Sequence, residues 1–219
     1  SVPITEAPTL WAMRDLQKNP VTGKGITIAI LDTGVDYKHP DLGGCLGTGC
    51  KVVAGYNFIL GEDPNNFMDK HGHGTHVAGI VAAKGTLTGV APDAQLYAYK
   101  VLNDFGNGMD SSIIAALEKA VDPDGDPLTD DQIDIVNMSL GGIGAPDSPL
   151  SEAANNAMEA GTLVVVAAGN SGSNYSTIDS PGNAEQVLTV GASNNIGDIA
   201  DFSSRGPIAV SYTHLRAHE

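Results

Sequence analysis

Residues 26–36 read ITIAILDTGVD, and this stretch decides the fold. Its first six residues are an unbroken apolar and β-branched run, as in a strand covered on both faces. The run stops at Asp32, and Gly34 then allows the chain to turn sharply. Working outward, the same alternation recurs along the chain. Residues 52–58, 94–101, 133–138, 162–168 and 187–191 read as further strands, and 8–18, 74–83, 111–121 and 149–160 as helices. Asp110 or Ser111 is the expected cap of the third helix. Ser148 and Pro149 have the chemistry of an N-cap and first helical position, with Gly161 closing that helix. Strands alternating with helices predict an α/β fold, a parallel sheet with helices on both faces.

The chain has 219 residues, with neither an internal repeat nor a linker, and reads as one domain over 1–207. The tail 208–219 shifts in composition, holding two of the six histidines, and is expected to be foreign to the domain. Net charge is −15, which excludes nucleic-acid phosphate as a partner, since phosphate binding needs Lys and Arg. No apolar run approaches the length of a membrane span, so no membrane partner is expected. No signal-peptide pattern opens the chain, which suits a mature or a cytosolic protein. Cys45 and Cys50 in CLGTGC are either free thiols or a local disulfide; the disulfide is favoured, and with it an oxidising, extracellular setting.

In open parallel sheets, functional groups gather beyond the carboxyl ends of the strands. There stand Asp32, the segment Ser139-Leu140-Gly141-Gly142, and Gly169-Asn170. The segment HGHGTHVAG adds an imidazole at a helix start. Peptide hydrolysis needs a base, a group to orient it, and donors for the developing oxyanion. His73 suits the first role, Asp32 the second and Asn170 the third. Taken singly, each has a plainer reading: a strand-end carboxylate, a helix cap and a turn residue.

The motifs ILDTGVDYKHPDL, HGHGTHVAGIVAA, VNMSLGG, VVAAGNSG and FSSRGP, in this order, resemble the subtilases, the subtilisin-like serine proteases. The resemblance runs from about Leu10 to Pro207. It implies a serine endopeptidase with an Asp-His-Ser triad, with Asp32 as the triad aspartate, His73 as the general base and Asn170 as the catalytic oxyanion donor. It also implies that His76 is a buried structural histidine, while His71 lies outside the motif and is exposed. Ser139, Leu140 and Gly141 correspond to a strand that pairs with an extended polypeptide substrate, and Gly106, Asn107 and Gly108 to the opposing strand. Ala167, Ala168 and Gly169 correspond to a wall of the primary specificity pocket, and Asp179 in STIDSPG to its floor. A propeptide is a further partner that the family allows. The family's serine stands in a Gly-Thr-Ser-Met-Ala type motif, which these residues do not contain; Ser203 and Ser204 precede the expected place. The 219 residues therefore read as a subtilisin-like domain without its C-terminal part, expected to be inactive as they stand.

No cofactor is required for such chemistry. The family's calcium loop after the histidine helix is too long to match AAKGTLTGVAP, although Asp41 remains. In the acidic segment DPDGDPLTDD, Asp122, Asp124 and Asp126 are spaced somewhat like calcium ligands. Two rival readings stand beside the protease. A zinc hydrolase would use His71, His73 and His76, but its motif needs an Asp where Thr75 stands and further ligands downstream. A non-catalytic subtilase-like module would explain the missing serine. A dinucleotide fingerprint is excluded, because Gly23 and Gly25 precede the first strand instead of following it.

Overall fold

The computed structural model describes residues 2–126 and 131–208. The tail beyond Ile208 thus lies outside the described residues. Six strands form one parallel sheet: β1 (Thr27–Asp32), β2 (Val52–Asn57), β3 (Gln95–Lys100), β4 (Ile135–Met138), β5 (Leu163–Ala167) and β6 (Leu188–Val190). Their order across the sheet is β2-β3-β1-β4-β5-β6. Among the described residues four α-helices accompany them: α1 (Ala7–Ala12), α2 (His73–Ala82), α3 (Asp110–Val121) and α4 (Pro149–Glu159). Among the described residues no helix is long and apolar enough to cross a membrane.

The apolar run of β1 sits at the centre, between β3 and β4. Because side chains alternate along a strand, it feeds two cores. Ile28 and Ile30 join Leu96 and Ala98 under α2, against Val77, Ala78 and Ala82. Ala29 and Leu31 join Tyr99, Val136, Met138, Val164 and Val166 under α3 and α4. The crossovers β2–β3, β3–β4 and β4–β5 all advance across the sheet in the same sense. Since α2 lies on the opposite face from α3 and α4, the β2–α2–β3 unit has the opposite hand to the other two. Parallel crossovers are nearly always right-handed, so α2 is the exception. That exception sets the start of α2 against the end of β1.

Two local expectations change. The first helix ends at Ala12 and does not reach residue 18: Met13 is extended, and the Asp15 carboxylate accepts from the Asn19 amide at 2.7 Å, closing a turn. For α3 the N-cap is Met109, with no side-chain cap, and Asp110 is already helical. There the Asp110 carboxylate meets the positive end of the helix dipole without capping it. For α4 the cap stands: the Ser148 side chain accepts from the Ser151 amide. Cys45 and Cys50 form a disulfide.

Candidate active site

The site is built on the ends of β1, β4 and β5 and the start of α2. Asp32, the last residue of β1, is fully buried. Its Oδ1 lies 2.7 Å and its Oδ2 2.9 Å from Nδ1 of His73, the first residue of α2. A carboxylate can only accept, so Nδ1 carries the proton and Nε2 keeps its lone pair. The His73 side chain is 44 % exposed and lines a cleft of about 540 Å³. Gly74 follows it, and a Cβ there would press on the Gly34 carbonyl and on Asp32, so only glycine lets α2 come this near.

Thr33 ties this corner together through all three of its polar groups. Its amide donates to Asp32 Oδ1 at 2.7 Å. Its carbonyl accepts from the Nζ of buried Lys100 at 2.8 Å. Its hydroxyl donates to Asp69 Oδ1 at 2.9 Å and accepts from the Gly74 amide at 3.0 Å. Lys100 also bonds Asp104 at 2.9 Å, at the base of the 103–108 loop. Asp69 accepts further from the amides of His71, Gly72 and Thr75, and from the Thr75 hydroxyl. Burial alone would raise the Asp69 carboxyl; the Thr75, Gly72 and Thr33 hydrogen bonds outweigh it and hold the group below the ordinary carboxylate range. Sequence reading missed Asp69, Thr33 and Lys100. A carboxylate four residues ahead of a helix that has glycine as its N-cap was the available signal.

The cleft is walled on one side by Gly106, Asn107 and Gly108 and on the other by Ser139, Leu140 and Gly141, with His73 and Asn170 between them. It continues into a cavity of about 230 Å³ lined by Ser139, Leu140, Gly141, Ala167, Gly169, Asn170, Ser171 and Asp179. Asn170 is exposed, and its carboxamide makes no hydrogen bond among the described residues. Gly169 has φ 104°, and a Cβ there would fill the cavity against the Asp179 carboxylate.

Several expected positions are corrected. Ala168 does not line the pocket: it is 4 % exposed and faces the interior like Val164 and Val166, by strand alternation, and Ser171 takes its place on the wall. His76 is exposed, not buried, as is His71. The short connection after α2 leaves its outer face open, and His76 lines a groove there with His39, Ile80 and Leu87. Asp41 is taken up by that connection, accepting from the Thr86 amide at 2.7 Å and the Leu87 amide at 3.2 Å. His71, His73 and His76 do not converge as ligands; the one group among the described residues with metal-holding geometry is Asp122, Asp124 and Asp131. Asp131 stands in this group where Asp126 was expected, and the Asp126 amide donates to the Asp124 carboxylate at 2.8 Å.

A parallel α/β sheet thus carries a buried Asp and a His bonded to it beside an open cleft, the arrangement of an acid–base pair. The subtilase family profile matches residues 23–214, and the chain belongs to that family, the subtilisin-like serine endopeptidases. It is 45 % identical over 179 residues to the minor extracellular protease Vpr of Bacillus subtilis (strain 168), covering 78 % of this chain and 21 % of that protein. It is 41 % identical over 196 residues to subtilisin DY of Bacillus licheniformis, covering 87 % of this chain and 65 % of that protein. It is 37 % identical over 212 residues to an intracellular serine protease of Paenibacillus polymyxa, covering 93 % of this chain and 58 % of that protein. The chain thus spans between about a fifth and two thirds of these relatives' lengths.

Proposed function

We propose that these residues supply the base, its orienting carboxylate, one oxyanion donor and the substrate cleft of a serine endopeptidase. The observation that carries this reading is the Asp32–His73 pair at 2.7 and 2.9 Å, opening into the cleft that Asn170 also lines. His73 Nε2 takes the proton of a serine hydroxyl as that oxygen attacks the scissile carbonyl, and later returns it to the leaving amine. Asp32 holds the tautomer and stabilises the imidazolium. Asn170 donates to the oxyanion as it forms. An extended peptide pairs with the 106–108 and 139–141 backbones as an added strand. Its side chain ahead of the scissile bond enters the Gly169 cavity, where the Asp179 carboxylate selects Arg or Lys.

The family's Gly-Thr-Ser motif does not occur among the 219 residues, and on this reading they show no turnover by themselves. The test is a chromogenic peptide assay of residues 1–219, beside the same chain with His73→Ala and a form extended through a Gly-Thr-Ser motif. Turnover is expected only in the extended form. Turnover by residues 1–219 that His73→Ala abolishes would reveal another nucleophile.

Two finer readings go with this one. The Cys45–Cys50 disulfide favours a secreted protein, as does the extracellular relative, against the intracellular one. The acidic cluster Asp122, Asp124 and Asp131 is the place for a structural calcium ion. Calcium would then raise the melting temperature and a chelator lower it, with no change in chemistry.

A further inference from the structure

We infer that Asp69 is a positioning residue for the His73–Asp32 pair, holding the imidazole in register with its carboxylate partner through Thr33. The inference rests on the proposed reading of His73 as the base. Two elements from distant parts of the chain must meet for that pair to form: the end of β1 and the first turn of α2. Asp69 bonds both.

Toward β1, Asp69 Oδ1 accepts from the Thr33 hydroxyl at 2.9 Å. Toward α2, the same oxygen accepts from the His71 and Gly72 amides, each at 2.9 Å. Its Oδ2 accepts from the Thr75 amide at 2.9 Å and the Thr75 hydroxyl at 2.6 Å. The Thr75 hydroxyl in turn accepts from the Asp36 amide, which returns the connection to the segment after β1. The first turn of a helix needs acceptors for its amides, and the Gly72 N-cap has no side chain to offer one. Asp69 and Thr33 supply them from outside. Each donor that Asp69 engages flanks His73 in sequence or bonds the Asp32 corner, so the carboxylate fixes both halves of the pair at once. A neutral amide in its place presents an N–H to one of these donors, and a shortened side chain leaves them without an acceptor.

The test reads the pair directly and requires no turnover. The protein is labelled with ¹⁵N at histidine, and the Nδ1 proton of His73 is followed by NMR, with its exchange against solvent. The wild type should show a hydrogen-bonded Nδ1 proton; its absence there would remove the pair itself and with it the functional reading. Given its presence, Asp69→Asn and Asp69→Ala should abolish the resonance or speed its exchange by about tenfold or more, the equivalent of one lost hydrogen bond. Thr33→Val should do the same, and Thr33→Ser should restore the wild-type signal. Asp41→Asn is the structural control: that carboxylate also accepts two backbone amides, but at the other end of α2. It should lower the melting temperature and leave the His73 proton in place. If Asp69→Asn perturbs His73 no more than Asp41→Asn does, Asp69 has only a structural role and the inference is wrong. Loss of fold in Asp69→Ala leaves Asp69→Asn and the two Thr33 variants to decide the matter.

Discussion

The two flanks of the cleft are built in opposite ways. On the β1–α2 flank, Asp32 is fully buried and Thr33 has every polar group engaged, one of them by Lys100, a buried cation. On the β5 flank, Asn170 is exposed with its carboxamide free of described partners, and among the described residues the Asp179 carboxylate meets the Ser171 hydroxyl alone, at 3.4 Å. The difference follows from what each flank has to do. A proton moves between fixed partners, and a small error in their geometry costs rate. A donor that meets the substrate only as charge develops must be left open to it.

The contrast predicts a graded series of losses in an active form that carries the nucleophilic serine. Asp32→Asn should be the most damaging, lowering kcat by about 3 × 10⁴, the loss found for the triad aspartate of a subtilisin. A loss under about a hundredfold on the same scale would break the comparison, since the braced flank would then matter no more than the open one. Asn170→Ala should lower kcat by about 10²–10³, the value for the equivalent subtilisin donor, with KM nearly unchanged. Steady-state kinetics separates the two parameters, and a rise in KM alone would make Asn170 a substrate contact. Asp179→Gly should leave kcat on neutral peptides unaltered and remove about 10–100-fold of preference for Arg or Lys, the worth of one charge-assisted hydrogen bond. Peptide-library profiling of both forms decides this, and identical profiles would exclude Asp179 from the pocket. The smallest effect lies behind the cleft. The Ser148 hydroxyl caps α4 and bonds Ser180, next to Asp179. Ser148→Ala should cost about 1 kcal/mol, or about 2–4 °C in Tm, with catalysis untouched.

The strands and the acid–base pair were legible because each rests on a local pattern. The ITIAIL run, the stop at Asp32 and the small-residue helix after His73 need no knowledge of distant contacts. What lay hidden depends on what the fold brings close. Asp69 stands in FMDKHGHG, a polar stretch with no periodicity, and becomes a helix cap only because α2 docks on β1. Lys100 lies in the strand run AQLYAYKV, where nothing marks its charge as buried until Thr33 and Asp104 are placed around it. His76 resembles a buried family position, yet here it stands exposed on the outer face of α2, which the pattern HGTHVAG by itself does not reveal. Ala168 illustrates a one-residue limit: the segment was identified as a pocket wall, but which of two adjacent alanines faces the pocket is set by strand phase.

The position of β1 has a consequence for how the molecule is made. This strand, which ends in Asp32, precedes both of its sheet neighbours in the chain, yet it takes its place in the middle of the sheet, between β3 and β4. When a ribosome has released residues through Lys100, β1 can have one neighbour; its other edge stays open until Ile135–Met138 emerge. Pairings of such long sequence separation form slowly, because loop closure must precede any gain from contact. For that interval the most apolar strand of the nascent chain is an unprotected edge, with unpaired amides and carbonyls able to join another chain. The strand that carries the orienting carboxylate is therefore open to misassembly while the stretch from Val101 to Asp134 is being made.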